Sequence, residues 1–361
     1  MTQVGIPYLF MRGGSSRGPF FKREDLPANL EDLAKVLVAV VGSGHPLNID
    51  GLGGGNAVTT KVAILSQSDD EWADIDYFFA QVSVEDQLVD FKPTCGNMMI
   101  GVGPAAIEMG LIPADEGQTD VRIRAVNTGA KVLATIQTPN RCVEYSGSTR
   151  IDGVPGTAAP IKLNFEEVAG SATNALLPTG NAKDTVNGIE VSCVDCAMPM
   201  VIADARSFGL TGYETREELD TDKELFEKIE RVRLEAAVLM GMGDCRESVM
   251  PKFGLFSRSQ TSTNAFCTRY LMPWSTHPTL AVTGSQCFSA CALISGTVLS
   301  KMVEQPKTSP VTFSLEHPLG TMEVVMAYED GSSGRKPVSA QVVRTARKIA
   351  SGEVYVPAPH H

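Results

Sequence analysis

The sequence predicts an α+β protein built as two similar domains, each with β-structure wrapped around a central helix. Three observations carry this prediction. The chain has 361 residues, enough for two ordinary domains. Short β-like segments bounded by glycine, asparagine and aspartate recur along it. One arrangement also occurs twice. Thr94-Cys95-Gly96-Asn97 opens an uncharged helical stretch over 98–107, and Thr283-Gly284-Ser285-Gln286 opens another over 287–294. A helix that is apolar on every side must be buried on every side, so each half is expected to enclose one. The division expected is 1–180 and 181–361, with the last ~20 residues free to pack back on the first domain.

In chain order, 6–11 reads as a strand that runs into the glycine-rich turn Arg12-Gly13-Gly14-Ser15-Ser16-Arg17-Gly18. Residues 30–41 have helical spacing. A second glycine-rich turn, Gly53-Gly54-Gly55-Asn56, precedes a strand at 59–65. Strands are expected at 76–82 and 88–91, and a hairpin over 121–126 and 131–136 around Asn127-Thr128-Gly129. A kink or break is expected at Pro104, whose ring removes a helical hydrogen bond. Residues 178–184 form the candidate linker. Beyond it come a strand at 189–194, a helical stretch over 214–240, and strands at 266–272 and 279–282. A helix from about Ser285 to Val303 follows, then strands at 311–315 and 322–327 and a polar turn over 330–337. The stretch 338–350 reads as a strand followed by a short helical turn.

Composition excludes several classes. A net charge of −11 leaves no basic footprint for nucleic acid. No apolar run reaches the length of a membrane span, and the first residues lack a secretory pattern, so the expected compartment is the cytoplasm. There are eight cysteines, of which Cys193 and Cys196 form one CxxC. A zinc site would need a second such pair. The pair lies in a β-like stretch, and Cys287 and Cys291 fall four apart on an apolar helix, so all four read as buried thiols. The terminal His360-His361 resembles a tag remnant and receives no role.

Two side chains stand out for chemistry. Cys95 sits where a helix begins, ahead of Gly96 and Asn97. Unpaired N–H groups there stabilise negative charge, lower a thiol pKa and bind a carboxylate. The alternative reading is a buried thiol capping a core helix. Lys61 stands at the mouth of an apolar strand. There it faces either solvent or a cleft, and in a cleft it would draw in an anion or act as a base. The turns at Gly13-Gly14 and Gly54-Gly55 match neither a dinucleotide fingerprint nor a P-loop. Their backbone N–H groups can form an anion nest, or they are simply tight turns. His277 is expected near the start of the second helix, where it either serves the site or satisfies a local hydrogen bond.

The series Met11-Arg12-Gly13-Gly14-Ser15-Ser16-Arg17-Gly18, Thr60-Lys61-Val62-Ala63, Cys95-Gly96-Asn97 and Val282-Thr283-Gly284 resembles the PrpF-like isomerases. So does the ending Arg344-Thr345-Ala346-Arg347 with Gly352-Glu353-Val354-Tyr355-Val356-Pro357. The resemblance runs the length of the chain. It implies a diaminopimelate-epimerase-like fold with the active site in the cleft between two domains of one topology. It also implies a 1,3-proton shift in a small unsaturated polycarboxylate, without metal or organic cofactor. 4-Oxalomesaconate is the first candidate, and 2-methylaconitate and methylitaconate are the alternatives. Lys61 and Cys95 match the family's proton-transfer pair. The substrate-binding set is expected to comprise Gly13, Gly14, Ser15, Ser16, Arg17, Gly54, Gly55, Asn56, Gly96, Asn97, His277, Thr283, Gly284 and Ser285. Two departures stand out: Ser15 and Arg17 replace the usual threonine and lysine, and Gly284-Ser285 stands where the epimerases carry a second cysteine. A symmetric two-thiol mechanism is therefore not expected. A homodimer is compatible with the family, and a tricarboxylate-binding protein without turnover is the rival from another class.

Overall fold

The computed structural model describes residues 3–260, 265–272, 274–331 and 334–358, so His360-His361 lie outside the described residues. In chain order the elements are β1 Gln3–Gly13, β2 Ser16–Lys22, α1 Leu30–Val41, β3 Lys61–Gln67, β4 Ile75–Val82, β5 Val89–Asp90, α2 Gly96–Met99, α3 Val102–Glu108, β6 Gly117–Ala125, β7 Ala130–Thr138 and β8 Ile161–Glu166. There follow β9 Asp184–Val186, β10 Ile189–Asp195, β11 Pro199–Asp204, α4 Arg216–Thr221, α5 Lys223–Leu239, β12 Lys252–Arg258, β13 Ala265–Leu271, α6 Val282–Leu293, β14 Val311–His317, β15 Gly320–Gly331, β16 Gly334–Arg344 and β17 Ala346–Pro357. The chain divides into two compact units, Met1–Leu163 with Val343–His361, and Asn164–Val342. The segment 178–184 lies inside the second unit, where Thr179 Oγ1 and Asn181 Nδ2 both donate to the Asp184 carboxylate.

Each unit repeats one pattern of strand pairing. In the first, β1–β2 is antiparallel, β2–β3 parallel, β3–β4 antiparallel, β4–β6 parallel and β6–β7 antiparallel. In the second, the same alternation runs through β10–β11, β11–β12, β12–β13, β13–β14 and β14–β15. Parallel neighbours need a crossover, and each crossover here contains helix: α1 and then α2–α3 in the first unit, α4–α5 and then α6 in the second. The second crossover supplies the central helix. α2 packs against β1, β2 and β3, and α3 against β3, β6 and β7. In the other unit, α6 packs against β10, β11 and β15. All twelve residues of α6 are buried. The equivalent strands β3 and β12 even share a pattern, a lysine, an apolar run and a serine: Lys61-Val-Ala-Ile-Leu-Ser and Lys252-Phe-Gly-Leu-Phe-Ser.

The outer helices form for local reasons. Asn29 caps α1 by accepting from the Asp32 N–H, and Gly42, at φ 76°, closes its end by donating to the Val38 and Ala39 carbonyls. The stripe Leu33, Leu37, Val40 and Val41 is buried with Phe21, Val62, Ile64 and Ala80. Asp222 both ends α4 and caps α5, so the stretch expected to be one helix over 214–240 is two.

Other expectations are corrected as well. The helix after Cys95 breaks at Ile100-Gly101 rather than at Pro104, which falls in the first turn of α3, where its missing N–H costs nothing. No strand forms over 279–282: Ala281 is the extended N-cap of α6, Val282 opens the helix, and it ends at Leu293 rather than near 303 because Ile294 turns extended at φ −81° and ψ 121°. The strand expected at 88–91 shrinks to Val89–Asp90. Strand structure occupies 338–350 without a helical turn and extends into the expected turn at 330–337, of which 332 and 333 lie outside the described residues.

One buried cation ties the approach to β12. Arg233 on α5 is fully buried, pairs with Glu230 at 2.7 Å through Nε and Nη2, and donates to the carbonyls of Cys245, Ser248 and Met250. Arg233→Met keeps the apolar stem but strands these acceptors. It should lower stability by about 3 kcal/mol, read as a lower urea midpoint at unchanged slope.

Candidate functional site

In the first unit, one face of β4 organises the candidate side chains. Side chains two apart on a strand share a face, so Tyr77, Phe79 and Gln81 point together. Asp76 and Phe78 point the other way, to Arg124 and to a stacked Phe91. Lys61, the first residue of β3, pairs with Gln81 in register. Its Nζ donates to Gln81 Oε1 at 2.7 Å and lies 5.2 Å from the centroid of the Phe79 ring. Phe79 contacts Tyr77 at 6.3 Å between centroids, and the Tyr77 hydroxyl donates to the Cys95 carbonyl at 3.2 Å. Burial pushes the Tyr77 phenol well above its usual range, reinforced by Cys95, so it remains a donor. Cys95 is the N-cap of α2, extended at φ −132° and partly exposed. The N–H groups of Gly96, Asn97 and Met98 follow it and lack intrahelical acceptors.

The glycine-rich turn closes over this helix start. Gly14 has φ 52°, and a Cβ on it or on Gly13 would overlap Asn97. A Cβ on Gly18 would overlap the Lys61 carbonyl oxygen, so β2 can lie against β3 only as glycine there. Asn97 Nδ2 donates to Ser15 Oγ at 3.3 Å. The buried Ser16 hydroxyl has no partner among the described residues. Arg12 donates to the carbonyls of Gly14 and Thr345 at 2.8 Å, and burial, with Arg347 nearby, lowers its guanidinium to about 10. The Arg17 guanidinium reaches Gly54, where a Cβ would stand 2.8 Å from Nη2. Thus the fold gathers Gly13, Gly14, Ser15, Arg17, Gly54, Gly96 and Asn97 around the strand and helix that carry Lys61 and Cys95.

Two of the expected anion-binding N–H groups are already committed. Gly14 N–H donates to Thr345 O at 3.0 Å, and Gly55 N–H to Asn48 Oδ1 at 2.8 Å. Asn56 accepts from Thr59 and Val58 within its own loop. These glycines serve close packing, and the cationic side chains of Arg17 and Lys61 and the first N–H groups of α2 are the candidates for meeting an anion. Sequence reasoning missed Gln81, Tyr77, Asn48 and Thr345. The period-2 alternation of 76–82 was the available signal for the first two; nothing local marked the others.

In the second unit, α6 begins three residues before Ser285. The Ser285 hydroxyl therefore donates back to the Val282 carbonyl at 2.7 Å. Thr283 and Gly284 occupy the first turn, and Gly284 makes room for the Tyr270 ring. His277 is buried. Its N–H donates to the Tyr270 carbonyl and its Nδ1 accepts from the Thr279 N–H. The thiols here are structural: burial pushes Cys193 up to about 12 and Cys291 to about 11, and Cys287 donates to the carbonyls of Cys196 and Met198. Among the described residues no His, Cys, Asp and Glu cluster could hold a metal ion, and no helix is long and apolar enough to cross a membrane.

Comparison with known proteins defines the class, an isomerase of diaminopimelate-epimerase-like α+β fold. The crystal structure of a methylitaconate-delta-isomerase superposes at TM-score 0.80 with 33% identity, covering 100% of each chain. The chain belongs to the PrpF protein family, whose model matches residues 3–357. It is 49% identical over 352 residues to the Escherichia coli (strain K12) protein named "Putative isomerase YbhH", covering 98% of this chain and 99% of that one. It is 43% identical to the (4E)-oxalomesaconate Delta-isomerase of Novosphingobium sp. (strain KA1), covering 97% of each. It is 40% identical to the 4-oxalomesaconate tautomerase of Pseudomonas putida, covering 99% of this chain and 97% of that one.

Tyr77→Phe isolates the hydrogen bond beneath the thiol. The ring stays and the Cys95 carbonyl loses its donor, so stability should fall by about 1 kcal/mol. A urea midpoint equal to that of the unaltered protein would show that this bond does not hold Cys95.

Proposed function

We propose that this isomerase moves a proton within 4-oxalomesaconate, using Lys61 and Cys95 as the proton-exchanging pair and no metal or organic cofactor. One observation carries the reading: a single strand face contacts both an amine and the backbone of a partly exposed thiol. The names of the Novosphingobium and Pseudomonas relatives support the substrate.

A carbon-bound proton beside a carbonyl and a conjugated carboxylate is already acidified. Its C–H bond breaks as one of the pair takes the proton, and the electron pair spreads into an extended enolate. The other member delivers a proton to the far end of that system. Cations stabilise the developing oxygen charge. Arg17 and the first N–H groups of α2 would hold the carboxylates, with Gly96 and Asn97 allowing close approach. The setting we propose is gallate breakdown in the cytoplasm, and the eight unpaired cysteines fit a reducing compartment.

A second reading, isomerisation of methylitaconate or the related 2-methylaconitate, is favoured by the likeness to the solved methylitaconate-delta-isomerase. Incubating the protein with the three acids and following each by proton NMR separates the readings. 4-Oxalomesaconate should turn over fastest, and preference for a methyl-bearing acid would replace it with the second reading. Binding without turnover of any would indicate a tricarboxylate-binding protein.

Cys95→Ser is nearly isosteric but a far weaker acid, and should lower kcat by about two to four orders of magnitude with the fold retained. Lys61→Met keeps length and apolar stem and should lower kcat on the same scale. A raised KM at near-normal kcat would instead make Lys61 an anion binder only.

A further inference from the structure

We infer that Gln81 is a positioning residue for Lys61, a neutral amide that aims the amine into the site while leaving its proton free to exchange. The inference rests on Lys61 taking part in proton transfer, as proposed above.

The orientation of the Gln81 amide is dictated by its surroundings. Its Nε2 is ringed by acceptors: the carbonyls of Ala57 at 3.2 Å, Thr60 at 3.4 Å and Val82 at 3.3 Å, and Thr60 Oγ1 at 3.2 Å. The Thr60 hydroxyl spends its own proton on the Val82 carbonyl at 2.8 Å and can only accept from Gln81. With Nε2 held in this way, Oε1 must face Lys61, and a flipped amide would set oxygen against oxygen. The Lys61 ammonium therefore has one N–H on Gln81 and rests on the Phe79 ring, which fixes its direction.

The chemistry of the partner matters as much as its place. Among the described residues Lys61 forms no ion pair. The charged and titratable groups on the elements packed against β3 are otherwise placed or engaged. Arg17 of β2 lies over the Phe10 ring, and Asp90 of β5 pairs with Gln81 in register while accepting from the Lys92 N–H. Lys22 of β2 lies 3.8 Å from Glu24, which shares with Arg23 and Asp25 the turn after β2. Asp76 of β4 binds Arg124, Tyr77 holds Cys95, and Glu108 of α3 binds Lys348. A carboxylate at position 81 would lock the proton onto Lys61; an apolar side chain would favour its loss. The amide orients the amine and leaves the exchange to substrate and Cys95.

The test compares kcat–pH profiles on 4-oxalomesaconate for the wild type, Gln81→Glu and Gln81→Met, with Lys61→Met as control. Gln81→Glu should move one limb of the profile upward by about one pH unit or more, and Gln81→Met should move the same limb downward. Gln81→Met should also lose kcat about ten- to a hundredfold with little change in KM. A limb that requires the deprotonated amine identifies Lys61 as the first base; one that requires the ammonium identifies it as the acid. A purely structural role would lower activity without opposed shifts, and unmoved limbs in both variants overturn the inference. If Gln81→Glu fails to fold, the downward shift in Gln81→Met decides alone. Full kcat in Lys61→Met would instead overturn the proton-transfer reading itself, so the two failures are distinguishable.

Discussion

The antiparallel register of β3 on β4 is the constraint on which the first unit's site depends. It places Lys61 opposite Gln81, and period-2 geometry then puts Phe79 and Tyr77 on the same face, reaching toward Cys95. A slip by one residue would turn this face over to α1, and would bring Val62, Ile64, Ala80 and Val82 out of the core they share with Leu33 and Leu37. The apolar packing on one side of the sheet thereby enforces the polar geometry on the other. The stability of the outer helix and the alignment of the amine are two consequences of one register.

The central helices impose the complementary demand. A helix enclosed by strands leaves no room for side chains where backbones meet, and glycine resolves the conflict at Gly13-Gly14 against Asn97 and at Gly18 against Lys61. Once those contacts form, the N–H of Gly14 is drawn into the β1–β17 corner through Thr345. The turn thus acts chiefly as a close-packed lid on the helix start. Positive charge comes from Arg12, Arg17 and Lys61, concentrated locally in a chain of net charge −11.

Much of this was legible in the residues. The α+β class and the two enclosed helices followed from two uncharged helical stretches after small-residue turns, and 30–41 was bounded correctly because cap, stripe and terminal glycine agree. The start of α6 was missed because Thr279 to Val282 carries β-branched residues that read as strand, whereas burial on all sides overrides that propensity. The long strands β16 and β17 were obscured by arginine, lysine, serine and glycine on their exposed faces. For Lys61 the sequence left solvent and cleft open. Its placement depends on a residue twenty positions away, and no local pattern encodes that pairing. The commitment of the Gly14 and Gly55 N–H groups was equally hidden, since their acceptors are Thr345 and Asn48.

The central claim is that Lys61 and Cys95 pass a proton through an enolate in solvent-exchangeable form. It is tested most directly by running the reaction in deuterium oxide and locating the label by NMR. The account predicts deuterium at the reprotonated carbon of the product from the wild type, and loss of this incorporation in step with loss of turnover in Cys95→Ser and Lys61→Met. Turnover with the original hydrogen fully retained, or undiminished incorporation in both variants, would contradict it.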